Sequence, residues 1–201
     1  AVEDSIHFFY LNDLIGFLGG GGGVEEATET ATTPTVRFAI FNVAEAWVFS
    51  FLPALLSDRR RLPVPAVLFA WLGGLGLTNA FLMPYLALRE ALASRGEEDE
   101  SNEARKGGKN PLLGFLFGTT ASAVAAYAVV SSLSAPSEQW TEFSELARSD
   151  RTYMAFCVDL VLFSVVQPLI IRRAECLEEK DDLPGLYNVP FIGMLAWLLG
   201  V

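Results

Sequence analysis

Long apolar stretches separated by compact charged blocks dominate the chain. Residues 39–56 read AIFNVAEAWVFSFLPALL with Glu45 as the one ionisable group, and residues 64–88 read VPAVLFAWLGGLGLTNAFLMPYLAL with none. Residues 111–133 carry no charge either, and residues 153–171 carry only Asp159. A bilayer core about 30 Å thick takes about 20 residues of helix, and within it only helices or closed barrels satisfy every backbone group. The pattern predicts an all-α, multi-pass transmembrane helical bundle of four spans. A soluble bundle with long buried helices would show a polar stripe at helical spacing, whereas residues 64–88 offer only Thr78, Asn79 and glycines. Gly73, Gly74 and Gly76, and the small residues Ala121, Ser122, Ala123, Ala125 and Ala126, suit membrane helices that approach closely.

The two ends read differently from the middle. Residues 191–201, FIGMLAWLLGV, are apolar but too short to cross, which makes them a re-entrant or interfacial end, or a fifth span cut short. Residues 1–35 form a separate region ahead of the membrane domain at 36–201. In it Phe8, Leu11, Leu14, Ile15 and Leu18 recur at helical spacing and predict a short interfacial helix, followed by a glycine linker at 19–23 and a polar, Thr-rich loop. The start AVEDSIHF lacks the basic region of a secretory signal, and Ala1 is expected to follow a removed targeting peptide.

Charge narrows the classes further. With 24 acidic and 14 basic residues the net charge is -10, which argues against a nucleic-acid binder, and 52% hydrophobic residues argue against a disordered chain. Glu97, Glu98, Asp99, Glu100 and Glu103 in the acidic loop at 89–110, with Glu178, Glu179, Asp181 and Asp182, are solvated loops or docking surfaces for a basic partner. Four spans put the N-terminus, the loop at 89–110 and the segment after 171 on one side. That side then holds Arg37, Arg89, Arg95, Arg105, Lys106, Lys109, Arg172, Arg173 and Lys180, against Arg59, Arg60, Arg61, Arg148 and Arg151 opposite. The excess assigns it to the side that is not translocated, cytoplasmic or stromal, although the dense SDRRR block pulls the other way.

Asn42, Glu45, Asn79, Thr119, Thr120 and Gln167 fall in one half of the predicted bilayer. A carboxylate facing lipid costs at least about 2.5 kcal/mol, so Glu45 is expected to face the bundle or a partner. Three uses stay open. Glu45 ties helices together through Asn79 or Thr119; or Glu45, Asn42 or Gln167 gives an oxygen to the magnesium of a chlorophyll; or Glu45 and Asp159 are proton or ion relay positions, which the four-span order sets well apart in depth. Phe41, Trp47, Phe49, Phe51, Phe69 and Trp71 are surfaces for chlorophyll or carotenoid, or ordinary packing and lipid contacts. The candidate cofactor-binding set is therefore Glu45, Asn42, Gln167, Asn79, Trp47 and Trp71, and no protein metal centre is expected. His7 is the sole histidine, Cys157 and Cys176 form no CxxC, and no phosphate-cradling or serine-nucleophile motif is present, so an enzyme is not expected.

The stretch LTNAFLMPYLALRE, preceded by SDRRRLPVPAV and followed after the last span by a short apolar end, resembles a little-characterised family of multi-pass membrane proteins of cyanobacteria and plastids. The resemblance covers residues 38–88, with weaker support to the C-terminus, and transfers no catalytic residue. It implies a thylakoid or plastid-envelope location. The spans lack the paired Glu and Arg that light-harvesting antenna helices exchange. The expected function is a non-catalytic accessory subunit of a thylakoid complex, most plausibly photosystem I with its antenna, in contact with lipids, pigments and core and antenna proteins. A small proton- or ion-coupled transporter using Glu45 and Asp159, and a transient assembly factor, are the alternatives.

Overall fold

In a computed structural model the described residues are 35–59, 61–77, 79–94, 109–177 and 182–201. The predicted interfacial helix, the glycine linker and most of the acidic loop lie outside them. The described residues form helices α1 (Thr35–Ser57), α2 (Val64–Leu77), α3 (Asn79–Ser94), α4 (Pro111–Leu133), α5 (Ser137–Ser149), α6 (Arg151–Ala174) and α7 (Ile192–Leu199), with a 3-10 turn at Gly185–Asn188 before α7. No strand occurs among the described residues. Three helices, Val36–Ser57, Pro111–Leu133 and Arg151–Ala174, are long and apolar enough to cross a membrane, and Val64–Leu77 is a shorter apolar helix.

The helix α1 is the axis of the bundle. It has 61% of its apolar window buried, against 22% for α4 and 33% for α6, so α1 is surrounded while the other two form the perimeter. Its aromatics therefore point in opposite directions. Trp47 packs on Phe163 of α6 and on Phe191 at 5.8 and 5.6 Å between ring centroids. Phe49 stacks on Phe117 of α4 at 4.3 Å and meets Trp71 of α2 at 6.0 Å. On α4 the buried positions are Gly114, Gly118, Ala121 and Ala128, a small-residue stripe that lets α1 and α7 come close.

The stretch 64–88 is not one straight span. In a continuous helix Phe69 and Phe81 would lie about 18 Å apart, at 1.5 Å per residue; their rings are 5.4 Å apart, edge to face. The Gly73 position faces the same Phe81 ring, so α2 and α3 form an antiparallel hairpin with its tip near residue 78. Each leg turns one buried stripe toward the bundle. On α2 the buried stripe is Val67, Ala70 and Gly74; on α3 it is Asn79, Leu82, Tyr85 and Arg89. The two ends of that second stripe are polar, and each has a fixed partner in the bundle. Arg89 returns to the end of α1, where its Nε and Nη2 donate to the two carboxylate oxygens of Asp58 at 2.8 Å each.

This reversal changes the order of the whole chain. Because the hairpin leaves at the end it entered, α4 runs antiparallel to α1 and α6 runs parallel to it. The parallel register is visible in Arg37 over the Tyr153 ring, Phe41 beside Phe156 and Trp47 beside Phe163, pairs that step along both helices together. At the end where α1 starts, α5 packs against α1 and α6. Gln139 of α5 accepts the Val36 N–H at 3.2 Å, and Glu142 pairs with Arg37. The opposite end gathers Asp58, Arg89, Glu90, Arg173, Lys109 and α7. The expected grouping of the segments at 89–110 and after 171 with the start of α1 is thus corrected for their described residues: Arg89, Glu90, Lys109 and Arg173 lie at the end where α1 finishes.

Candidate functional site

Two polar assemblies hold the interior, one at the hairpin tip and one at Gln167. Gln167 is fully buried on α6. Its Oε1 accepts from Trp47 Nε1 and from the Phe191 N–H, both at 2.9 Å, and its Nε2 donates to the Tyr187 carbonyl at 3.1 Å and the Val189 carbonyl at 2.9 Å. A primary amide has two acceptor lone pairs and two donor hydrogens, and all four are used. Gln167 is therefore a clasp that joins α1, α6, the 3-10 turn and the start of α7. Its oxygen has no lone pair left for a magnesium ion, which removes it from the expected ligand set. Gly193 lies against this clasp: a Cβ there would meet the Tyr187 carbonyl oxygen and, at 2.8 Å, Gln167 Nε2.

The helix α7 is held at its other end as well. Lys109 donates to the Trp197 carbonyl and sits 5.2 Å over the Trp197 ring, while the Trp197 indole donates to Glu175. Desolvation pushes the Lys109 ammonium below the ordinary lysine range, and the charge of Glu175 opposes that shift. Met194, Trp197 and Leu198 are almost completely buried. The short apolar end thus packs into the bundle as an eight-residue helix.

At the hairpin tip, Asn79 is 6% exposed and clamps onto α6. Its Nδ2 donates to Asp159 Oδ1 at 2.8 Å and to the Asp159 carbonyl at 3.3 Å. Its Oδ1 is buried and meets no hydrogen-bond partner, and one oxygen of the Glu45 carboxyl is likewise buried without one. The expectation that Glu45 bonds Asn79 or Thr119 fails. Asn79 is committed to Asp159, and the Thr119 hydroxyl donates to Phe115 of its own helix at 2.7 Å. Asp159 is nevertheless closer in depth to Glu45 than the four-span order allowed. Counted from Arg151 and Val36 at 1.5 Å per residue, the two carboxyls stand about 12 and 14 Å from the same end. The legs of the hairpin, with Trp71 Nε1 donating to the Val48 carbonyl at 3.1 Å, bring its tip to this level too.

The remaining candidates separate by direction. Asn42 donates to the Phe38 carbonyl of its own helix at 2.9 Å. Trp47 and Phe51 are core residues at 4% and 0% exposure, so neither offers a ring to a pigment; Phe69, at 67%, faces outward. Trp71 is partly buried between Phe49 and Phe117.

Family models, characterised proteins and solved structures give no match to this chain.

Sequence reasoning missed an ionic chain at the end of the bundle. Arg89, 4% exposed, pairs with Asp58 and also with Glu90, which in turn pairs with Arg173 of α6. A signal was present. Three glycines followed by Thr78 and Asn79 weaken a helix and then restart it, and the acid in SDRRR has a charge-complementary partner in ALRE only if the chain doubles back.

Proposed function

We propose that this chain is a non-catalytic integral membrane subunit that works as part of a larger assembly. Its helices α1, α4 and α6 cross the bilayer, while the α2–α3 hairpin enters and leaves at the end that carries Asp58. Among the described residues that end carries Arg59, Arg61, Arg89, Lys109, Arg172 and Arg173, against Arg37, Arg148 and Arg151 at the other. By the positive-inside rule it is the side that is not translocated, and the SDRRR block now agrees with the rest. This orientation reverses the one expected from four spans.

The observation that carries the reading is the place of α1. Among the described residues the centre of the bundle is occupied by α1, the most buried of the three crossing helices. The interior amide and indole N–H groups of Gln167, Asn79, Trp47 and Trp71 donate to the chain itself. What is left over is an apolar perimeter on α4 and α6, including Phe115, Tyr127, Val130, Val161 and Val165, available to lipid or neighbouring subunits. A thylakoid complex, most plausibly photosystem I with its antenna, is the assembly favoured by the resemblance over residues 38–88. Chlorophyll or carotenoid would meet the outward rings, with Glu45, Asn42 and Asn79 as the candidate oxygens that remain. Extraction of native membranes in mild detergent tests the reading. The chain is expected to migrate with a large pigment-bearing complex; migration alone, without pigment, would refute it. Presence only in immature complexes would assign it to assembly instead.

One observation favours the relay alternative, namely the shared depth of Glu45 and Asp159 beside the hairpin tip. Proteoliposomes separate the two: Glu45→Gln abolishes proton-coupled flux in a transporter, and an accessory subunit shows no flux with either residue.

A further inference from the structure

The helix α5 is tied to the membrane domain at both ends. Residues 134–136 join it to α4, and Asp150 alone joins it to α6. A linker of three residues spans little more than about 10 Å, so α5 stays at the level where α4 and α6 leave the apolar layer. Both junctions are pinned. Asp150 Oδ1 accepts the Thr152 and Tyr153 N–H groups at 2.8 and 3.2 Å and caps α6, while the Gln139 N–H donates to the Pro136 carbonyl at 3.1 Å. Along α5 the residues divide by direction. Gln139 and Phe143 are half-buried, the first against Val36 of α1 and the second edge to face with Tyr153 of α6, whereas Glu138, Glu142, Glu145 and Arg148 are exposed.

Trp140 belongs to neither set. It is 43% exposed, whereas Trp47 and Trp197 are buried and Trp71 is half-buried. Its Nε1 donates to the Ser132 carbonyl at 3.3 Å, which holds the ring beside the last turn of α4. The last two turns of α4 also carry Val129, Val130 and Leu133 at 50%, 64% and 79% exposure, so the ring continues the apolar perimeter of that helix at its very end. An indole offers a broad apolar face and a single N–H, here already partnered. On a membrane protein such a ring is best placed at the boundary between headgroups and acyl chains. The charged positions of α5 suit the same boundary, because a helix lying in that plane keeps its charges on the water side.

We infer that α5 is an in-plane helix of the membrane surface, with the Trp140 ring seated among the headgroups and upper acyl-chain atoms of the leaflet away from Asp58, a placement that rests on α4 and α6 crossing the bilayer. The test uses the full chain reconstituted in phosphatidylcholine vesicles. Tryptophan emission is followed with lipids brominated either near the headgroup end of the acyl chain or near its terminal methyl group. Wild type is expected to be quenched more strongly by the first kind, and Trp140→Phe should lose most of that quenching, because the other three indoles pack within the bundle. In the Trp140→Phe background, Tyr127→Trp puts an indole at a 60% exposed position about 9 Å from the end of α4 and should shift the quenching toward the terminal-methyl bromines. Lipid quenching of that variant, with none of Trp140, would overturn the surface placement and leave the crossing helices standing; no lipid quenching of either would overturn both. Quenching of Trp140 by aqueous iodide instead of bromine would put the ring in water. Quenching by neither would mean that a protein surface, such as a second copy of this chain, covers it; each of these two results overturns the inference. Should Trp140→Phe fail to fold, the wild-type profile still decides, since a bias toward the terminal-methyl bromines refutes a ring held at the headgroup boundary.

Discussion

Replacing Gln167 by methionine removes the clasp while keeping the side-chain length. Two donors inside the bundle, Trp47 Nε1 and the Phe191 N–H, then lose their acceptor, and both bonds are buried. A buried group left unpaired costs about 1–3 kcal/mol, whereas the Tyr187 and Val189 carbonyls, only partly buried, can recover water at less than about 1 kcal/mol each. The expected loss is about 3–5 kcal/mol. At about 2–4 °C per kcal/mol for a chain of this size, the midpoint falls by about 10 °C. Tryptophan fluorescence during a thermal ramp in detergent reads the change directly, since Trp47 and Trp197 both report on this junction. Hydrogen exchange locates it: the amides of Ile192–Leu199 should lose protection before those of α1 do. Gln167→Glu should be at least as damaging, because it keeps the acceptors but turns a carboxyl oxygen toward two carbonyls. Ser164→Ala removes only a bond to Leu160 of the same helix and should cost under about 0.5 kcal/mol. A midpoint for Gln167→Met within about 2 °C of wild type would refute the idea that this amide holds α7 in place.

Other substitutions test the remaining joints. Gly193→Ala drives a methyl group into the Tyr187 carbonyl and should destabilise by about 1–3 kcal/mol in the same ramp. Gly73→Ala and Gly76→Ala should differ in sign. The first collides with the Phe81 ring; the second has nothing within 4 Å and gains up to about 1 kcal/mol of helix propensity. Equal effects from the two would argue against the hairpin. Arg89→Met removes both buried bonds to the Asp58 carboxylate and should lower the midpoint in the same ramp, a loss that a second change, Asp58→Leu, reduces. In sealed vesicles of a variant lacking Cys157 and Cys176, Leu62→Cys and Ala91→Cys should react with an impermeant thiol reagent from one side and Glu145→Cys from the other. Reaction of the first two from opposite sides would restore a straight second span.

The apolar runs at 39–56, 111–133 and 153–171 were legible because a helix that meets only apolar surroundings needs no pattern, merely length without charge. The same rule failed at 64–88. A run of 25 uncharged residues satisfies it equally as one long helix or as two short ones, and the choice lies in contacts between residues distant in sequence: Phe69 with Phe81, Asn79 with Asp159, Arg89 with Asp58. From that one fold-back follow the direction of α4 and α6 and the end of the bundle at which the basic residues gather. It also brings Asp159 level with Glu45.

The amino-acid order by itself therefore determined which segments avoid water and which polar residues are trapped among them, since transfer from water to an apolar medium is a property of each side chain. It named Gln167, Asn79 and Glu45 as unusual. Only the tertiary structure decided what each one does, because a hydrogen bond is directional and short-ranged, and its partner is set by the packing of whole helices. Gln167 became a four-bond clasp and Asn79 a clamp on α6, while Glu45 kept a buried oxygen without a partner.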